Sequence, residues 1–600
     1  MTHAHAVVAR NIRNVAENNR GDELLMKQKI KNLNREKLVE ILCKVVDFLP
    51  REQYLEVEKL VAEAATDNSM AGKSPVMVRM SQELIDEKLK QIKDWMRQIE
   101  EEELYLDIES YEDYSSGYWD ADWITEYYDN MGIGDKLMSA IRFAKDCVDD
   151  RRYKEAHLIY EWLWAMVVGT DSEFEETIDL ETLAENKIIN ADMKQLALLT
   201  LYTDYQVQKP EKRAEDLFLY FGMYTFQKLH IEEMFYAGRE QLSETERFWK
   251  DWITLLKTKR GDVAGRLLQE AVLYCEGIDG LIKIADENPN AHPMLYLAAM
   301  KEYDKNHEYS EIEALGQKAV KKIDCNLVIR SKIALKAAFA ADYLGHTEEM
   351  MFFCWEGFRS DSTDRNFLRL FGIKEMAEKY GIKGKEIIDN CKKENVESYT
   401  RDTELQQNFL GDYNYLKMCF YMGDFVKIKE ASKNPKGSLG WSGGFIPYGI
   451  RMILLYLYDR PFPSKAAAGI AAYIGFQDAD NSELMMSFER DILEESCKYK
   501  TSIFWNYFQR WKPYFPMEQQ EREAYLAWTE KIVYSRADAI VGGQHRNHYG
   551  QSAQLLAIVG EIKEGMGNKG AKEKIFAEYK RKFPRHSSFQ REMKIYFQAF

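Results

Sequence analysis

Histidine, cysteine and glycine residues at short spacings are the first places to look for metal, covalent or phosphate chemistry in this 600-residue chain. His545 and His548 lie three residues apart, a spacing that puts two imidazoles on one face only if the segment is helical, and glycines bracket it. No neighbouring cysteine or carboxylate completes the three or four ligands of a zinc site. Gly381 and Gly384 lack the Gly-Lys-Ser/Thr ending of a phosphate-binding loop. The sequence therefore predicts turns at both places, with no catalytic residue, metal ligand or cofactor-binding residue.

An acidic, aromatic segment between Glu100 and Asn130 is the most distinctive local feature. It contains 12 acidic residues, eight aromatic residues and no basic one. Carboxylates attract cationic surfaces, and rigid aromatic rings anchor protein interfaces. We therefore predict a docking strip for a protein partner of basic character, with these contact residues: Tyr111, Tyr114, Tyr118, Trp119, Asp120, Asp122 and Trp123. Two alternatives stay open, namely a cover over the chain's own basic face and a solvated linker whose rings pack on neighbouring helices.

Basic residues concentrate near the C-terminus. The stretch from Lys569 to Lys594 holds nine lysines or arginines against three glutamates. Because basic helix ends bind phosphate groups, this stretch is the candidate nucleic-acid contact. Its candidate residues are Lys580, Arg581, Lys582 and Arg585. A solvated helix face, or a surface that the acidic strip contacts, would have the same composition.

Amphipathic helices must position these residues, because apolar side chains recur at three- and four-residue steps along most of the chain. Short turns containing Gly, Asn or Asp separate the helices, and two of them, at His307 and His346, are 39 residues apart. Such spacing is typical of two-helix repeats. We predict an all-α fold, an α-solenoid of stacked, tetratricopeptide-like helical hairpins, without a sizeable sheet. The alternative is a compact multi-domain helical bundle.

Changes in composition suggest four regions. We predict an N-terminal helical module over residues 1-98, the acidic aromatic strip or linker over 99-130, and a helical-hairpin array over 131-436. A C-terminal helical region with a basic end covers 437-600, and its first residues, 437–449, are dense in glycine.

Net charge, hydropathy and cysteine pattern narrow the class of protein. The formal charge of -16 disfavours a protein whose main surface binds nucleic acid. The most apolar segment, Met452 to Tyr458, is far shorter than the roughly 18 residues of a membrane span. The eight cysteines are widely separated, which is typical of thiols in a reducing compartment. We expect a cytoplasmic protein that does not enter a membrane.

The order of these features resembles the helical, tetratricopeptide-like region of bacterial SWIM zinc-finger proteins. The similarity spans about residues 100 to 600 and rests on the acidic strip, on DKLMSAIRFAKDCVDDRRYKEAHLIYEWLWAM, and on the C-terminal run. In that run Tyr549 and Ala553 open a helix, and Lys582 to Arg585 precede the last one. The zinc finger itself, C-x-C followed by C-x-H, is absent, so zinc-dependent nucleic-acid binding carries over to no residue here. The resemblance implies a bacterial, cytoplasmic helical scaffold without an established enzymatic role.

We therefore expect a non-enzymatic scaffold or adaptor that binds another protein through a solenoid surface and the acidic strip. The alternative is a nucleic-acid-associated regulatory or defence component that uses the basic C-terminal helices. An enzyme built from dispersed carboxylates is a third hypothesis, because spacing along a sequence does not reveal such constellations. The identity of the partner and the oligomeric state have no signal in the sequence.

Overall fold

The computed structural model describes residues 80–113, 122–171, 177–384, 387–388, 405–433, 437–441, 444–476 and 485–597. The chain divides into two compact units, Met1–Asp86 and Glu87–Phe600. The second unit is mostly helical and contains one small sheet. Within the described residues, no helix combines the length and the apolarity that crossing a membrane requires.

The sheet lies near the start of the second unit and is flanked in sequence by helices. The elements here are α1 (Gln82–Glu100), β1 (Tyr105–Asp113), β2 (Asp122–Tyr128), α2 (Ile133–Asp149), α3 (Tyr153–Ala165), β3 (Val168–Thr170) and β4 (Thr177–Ile178). The strand order is β2-β1-β3-β4, with β1 antiparallel to β2 and parallel to β3. Parallel strands need a long connection, and α2 and α3 lie within it. The all-α prediction is therefore confirmed for most of the described chain but missed this sheet.

Six helical segments follow the sheet along the chain. They are α4 (Leu180–Glu185), α5 (Met193–Val207), α6 (Arg213–Tyr220), α7 (Tyr224–Gln227), a 3₁₀ helix (Ile231–Tyr236) and α8 (Thr245–Leu256). Asp179 and Asp192 begin α4 and α5 as N-caps, and their carboxylates accept the backbone N–H of Thr182 and Gln195. Such caps satisfy donors that a helix leaves unpaired at its start.

Five successive helices then pack each against the next. They are α9 (Asp262–Glu287), α10 (Met294–Lys305), α11 (Tyr309–Lys322), α12 (Val328–Leu344) and α13 (Thr347–Ser360). The predicted turns at Lys305–His307 and Leu344–His346 are confirmed, and Gly345 closes α12 with a left-handed φ of 78°. Ala337 and Ala341 of α12 are fully buried, and so is Phe358 of α13. The small residues of α12 let its neighbours approach closely.

The C-terminal part of the unit consists of further helices around an aromatic core. They are α14 (Asp364–Arg369), α15 (Lys374–Lys379), α16 (Asp412–Tyr421), α17 (Phe425–Ala431), α18 (Ile446–Leu457), α19 (Lys465–Ile474), α20 (Ser487–Tyr499), α21 (Ile503–Trp511), α22 (Gln519–Gly542), α23 (Tyr549–Gly565), α24 (Ala571–Lys582) and α25 (Ser587–Phe597). Trp511 lies at the centre, fully buried, and its indole N–H donates to the carbonyl of Tyr421 at 2.8 Å. A buried ion pair, Arg369 to Glu489 at 2.9 Å, ties α14 to α20.

Candidate functional site: an acidic β-hairpin

The predicted docking strip contains an antiparallel pair of strands, β1 and β2. In their register Glu109 lies opposite Glu126, and Tyr111 lies opposite Ile124. Residues directly opposite share one face of a sheet, and alternate residues along a strand share it too. One face therefore carries two glutamates together with Tyr111 and Tyr128. All four of these side chains are exposed.

Tyrosine hydroxyls hold the carboxylate of Glu126 in place. Tyr111 donates to it at 3.0 Å and Tyr128 at 2.6 Å. These bonds, that from Tyr128 first, hold the pKa of Glu126 below its usual range. The bond to Glu126 also raises the pKa of Tyr128 to about 12. Glu126 is therefore a negative charge that persists to lower pH than an ordinary surface glutamate.

Two like charges face each other on this surface, and no described residue supplies a cation between them. Neither Glu109 nor Glu126 forms an ion pair with any described residue. Like charges directly opposite each other destabilise a strand pair. A positively charged group placed over the two carboxylates would remove that repulsion, so this face is electrostatically suited to a cationic ligand.

The base of the hairpin is fixed to the rest of the unit. The backbone N–H of Ile108 donates to the carboxylate of Asp171 at 2.9 Å. Asp129, just after β2, accepts the N–H groups of Ile133 and Gly134 at the start of α2. At the start of β1, Tyr105 pairs with Gly169 of β3. The strands therefore hold their acidic face at a defined position.

A groove of about 360 Å³ opens beside this base. Its lining includes the apolar side chains of Met96 of α1, Trp162 of α3 and Val167, which is 50% exposed, together with Glu100 and Glu102. A groove lined by both apolar and acidic side chains can hold the aliphatic stem of a lysine or arginine.

The structure places only part of the predicted strip. Tyr111 lies on the acidic face, and Asp122 and Trp123 belong to β2, paired with Asp113 and Glu112. The other four predicted contact residues, Tyr114, Tyr118, Trp119 and Asp120, lie outside the described residues. Sequence reasoning missed Glu109, Glu126 and Tyr128. Their signal was a period-two alternation of polar residues, whereas the search for strands looked for alternating apolar ones.

The predicted basic face lies at the end of α24, where Lys580, Arg581, Lys582 and Arg585 are all exposed. Lys582 pairs with Asp538 of α22 at 2.6 Å. Cations in the last turn of a helix are favoured by the helix dipole. Within the described residues, no ion pair joins these four residues to the hairpin. That the acidic strip covers the basic face therefore stays a prediction.

A second group of titratable residues lies between α3, α5 and α6. Asp204 is 2% exposed, and its Oδ1 is sealed without a hydrogen-bond partner. Burial, helped by the charge of Asp216, raises the pKa of Asp204 to about 7. Burial lowers the pKa of His157, whose Nε2 lies 3.4 Å from Glu161. These groups make the stability of this helix cluster depend on pH.

One cluster of the described part of the chain could offer three metal ligands, His230, Glu232 and Glu270. The guanidinium of Arg266 lies 2.6 Å from the carboxylate of Glu270, and His230 lies 3.0 Å from the same carboxylate. A fixed cation in this place competes with a metal ion, so we interpret the cluster as an ion-pair network. His545 and His548 are exposed in and beside a short 3₁₀ turn, as the turn prediction expected.

Comparison with known proteins found no matching family model, no matching curated protein and no matching solved structure, so the resemblance to SWIM zinc-finger proteins stays a prediction.

Proposed function

We propose that this chain is a helical scaffold that binds a basic, extended segment of another protein through the hairpin of β1 and β2. The observation that supports this most directly is the pair of exposed, facing carboxylates, Glu109 and Glu126, which no described cation neutralises. A lysine or arginine of the partner would lie over them and relieve their repulsion.

The edge position of β2 suggests the manner of binding. β2 is the outermost strand of the sheet, and within the described residues no further strand pairs with it. An exposed edge can accept an added strand through its backbone groups. Side chains of an added strand alternate between faces, so every second one would extend the face that carries Glu126 and Tyr128. A partner segment with basic residues at alternate positions fits this surface best.

The helical part would act as the rigid support of this surface. We propose that α9 to α13 and their neighbours stack as an α-solenoid of the tetratricopeptide type. Each of these helices contacts the next, and α10 also contacts α12, two helices further along. Stacking of this kind buries the apolar stripe of each hairpin against its neighbours and holds a surface in a fixed shape.

A pair of synthetic peptides tests the proposal. One alternates lysine with threonine over seven residues, and the other has the same composition with its lysines consecutive. We expect the alternating peptide to bind the full chain more tightly in fluorescence anisotropy at low salt. Glu109→Gln with Glu126→Gln should weaken it about tenfold, because removing attraction worth about 1.4 kcal/mol changes affinity by that factor.

The matched control removes two negative charges elsewhere. Asp491 and Glu494 of α20 are exposed and unpaired within the described residues, and Asp491→Asn with Glu494→Gln should leave binding unchanged. Equal loss in both double variants would mean that net charge alone attracts the peptide, and the proposed docking site would be wrong. Deleting residues 100–130 is a poorer test, because it also removes the pairing of β1 with β3 and the cap that Asp129 gives to α2.

The basic end of α24 carries the second candidate function, contact with nucleic acid. Lys580, Arg581 and Arg585 are exposed, and no ion pair engages them within the described residues. Phosphate contacts release counterions, so such binding must fall steeply as salt rises. Absence of retention on single- or double-stranded RNA or DNA at low salt would eliminate this alternative.

A further inference from the structure

The groove beside the base of the hairpin lies on the same face of the sheet as Glu109 and Glu126. Residues that pair across strands share a face, and so do alternate residues along one strand. Tyr105 pairs with Gly169, and Gly169 pairs with Thr177; the last two line the groove. Glu109 follows Tyr105 on the same face of β1, about 13 Å further along the strand. One partner segment can therefore contact both places.

The opposite face of the sheet is closed to a partner at this point. Leu106, Val168 and Ile178 lie on it, and none of them is more than 2% exposed. The groove face carries the exposed side chain of Thr177, and Val167 at its border is half exposed. A ligand of this end of the sheet must therefore approach from the side of the groove.

Two glutamates supply all the charge among the described residues that line the groove. They are Glu100, the last residue of α1, and Glu102; both are exposed, and neither forms an ion pair with a described residue. Arg97 pairs with other carboxylates, those of Asp94, Glu101 and Glu103. The adjoining groove along α1 is where Lys90 and Lys93 lie. The end of the groove at the sheet therefore attracts a cation.

An arginine side chain matches this combination of groups. Its aliphatic stem can cover the apolar lining, which includes Met96 and Val167. Its guanidinium can stack on an indole ring, the ring that attracts cations most strongly, and Trp162 of α3 lines the groove. Its planar fork of donors pairs with carboxylates through parallel hydrogen bonds, and Glu100 and Glu102 provide these carboxylates. Lysine has a similar stem but ends in a compact, strongly hydrated charge.

We propose that the groove is a specificity site for an arginine side chain of the partner segment. This inference rests on the proposed function and makes the partner more specific, since one arginine outside the added strand joins the basic residues at alternate positions. The arginine and the basic residues over Glu109 and Glu126 contact separate groups of the chain. The contribution of each can therefore be measured by itself.

Three extended peptides test the inference by fluorescence anisotropy on the full chain. Each is the alternating lysine–threonine peptide joined to a final arginine, leucine or glutamine by a flexible six-residue Gly-Ser linker, which spans up to about 20 Å. The extension is placed at either end in separate peptides, because a strand can add in either direction. We expect the arginine peptide of one direction to bind about fivefold more tightly than its glutamine counterpart. An equal gain from leucine would show that the groove takes apolar side chains, and the arginine assignment would be wrong.

Variants of the two glutamates test where the arginine binds. Glu102→Gly removes a carboxylate at a left-handed φ of 57°, which glycine adopts without strain, and Glu100→Gln removes the other. Together they should reduce the ratio of arginine to glutamine affinities to less than twofold. The matched control is Glu244→Gly with Glu246→Gln, since both residues are exposed at the start of α8 and Glu244 has a left-handed φ of 59°. This control should keep the fivefold ratio.

The outcomes separate the groove from the hairpin. Equal affinities of the arginine and glutamine peptides in both directions, or a ratio that the groove variant leaves unchanged, would overturn the arginine site. The hairpin proposal is judged on the unextended peptide with Glu109→Gln and Glu126→Gln. An arginine advantage that persists when those two substitutions have no effect would support the groove and refute the hairpin.

Discussion

Asp204→Asn is the substitution with the most sharply defined consequence for stability. Asp204 lies on α5, 2% exposed, with one carboxylate oxygen that has no hydrogen-bond partner. Burial first, and the charge of Asp216 second, raise its pKa from 3.8 to about 7. Asparagine has nearly the same shape and loses no proton, so the substitution removes the titration and leaves the packing unchanged.

The sign of the effect follows from where the proton is held. Because the folded-state pKa lies above the unfolded one, the folded chain binds more protons between pH 4 and pH 7. Stability therefore falls as pH rises through this range and levels off above it. A shift of about three pKa units corresponds to about 4 kcal/mol as an upper limit, and about 3 kcal/mol of this falls between pH 5 and pH 8.

Peptide-level hydrogen exchange is the suitable measurement, because a chain of this size does not unfold in a single step. We expect Asp204→Asn to raise the opening free energy of α5 and α6 at pH 8, and to raise it far less at pH 5. His157 also titrates in this cluster, but both proteins carry it and its contribution cancels in the difference. Glu215→Gln, an exposed change on α6, should show no such dependence. The same difference at both pH values would refute the burial argument.

Two further substitutions test the packing of the helices. Glu489→Gln should lower the opening free energy of α14 and α20 by about 3 to 5 kcal/mol, because Arg369 would keep a buried charge without its partner; a loss below 1 kcal/mol in peptide-level hydrogen exchange would contradict this. Gly316→Ala should cost about 1 to 3 kcal/mol, since its new Cβ would lie 2.3 Å from the Cβ of Ala337. Adding Ala337→Gly should recover part of that loss when both variants are compared by hydrogen exchange, and no recovery would show that the strain lies elsewhere.

The helices could be predicted from sequence because their apolar residues repeat with a helical period. The turns at His307 and His346 followed from short polar breaks, and the close packing of α12 followed from its alanines. The strands gave no such signal. In β1 the alternating residues Asp107, Glu109 and Tyr111 are polar or amphipathic, since that face meets solvent. The other face of β1 carries only Leu106 and Ile108 before it turns polar at Ser110, and so short an apolar alternation is not recognised as a strand.

The surroundings of Arg451 could not be predicted from the sequence for a different reason. Arg451 sits in an apolar helical segment, where an arginine is expected to find a carboxylate from another element. In the structure the guanidinium instead stacks on the ring of Tyr473, which lies on another helix, and this pairing has no signal in the sequence. Asp204 did leave a local trace, as an acidic residue inside the buried run from Leu199 to Tyr205. Such a residue in the middle of a core helix is a reason to look for a titratable site.

Glu109 and Glu126 are exposed on a sheet, so salt screens their attraction for a cation. Raising sodium chloride from about 50 mM to about 200 mM should therefore weaken binding of the lysine peptide severalfold. Binding that does not change with salt would mean that the two carboxylates do not attract the peptide, and the hairpin would then be the wrong docking site.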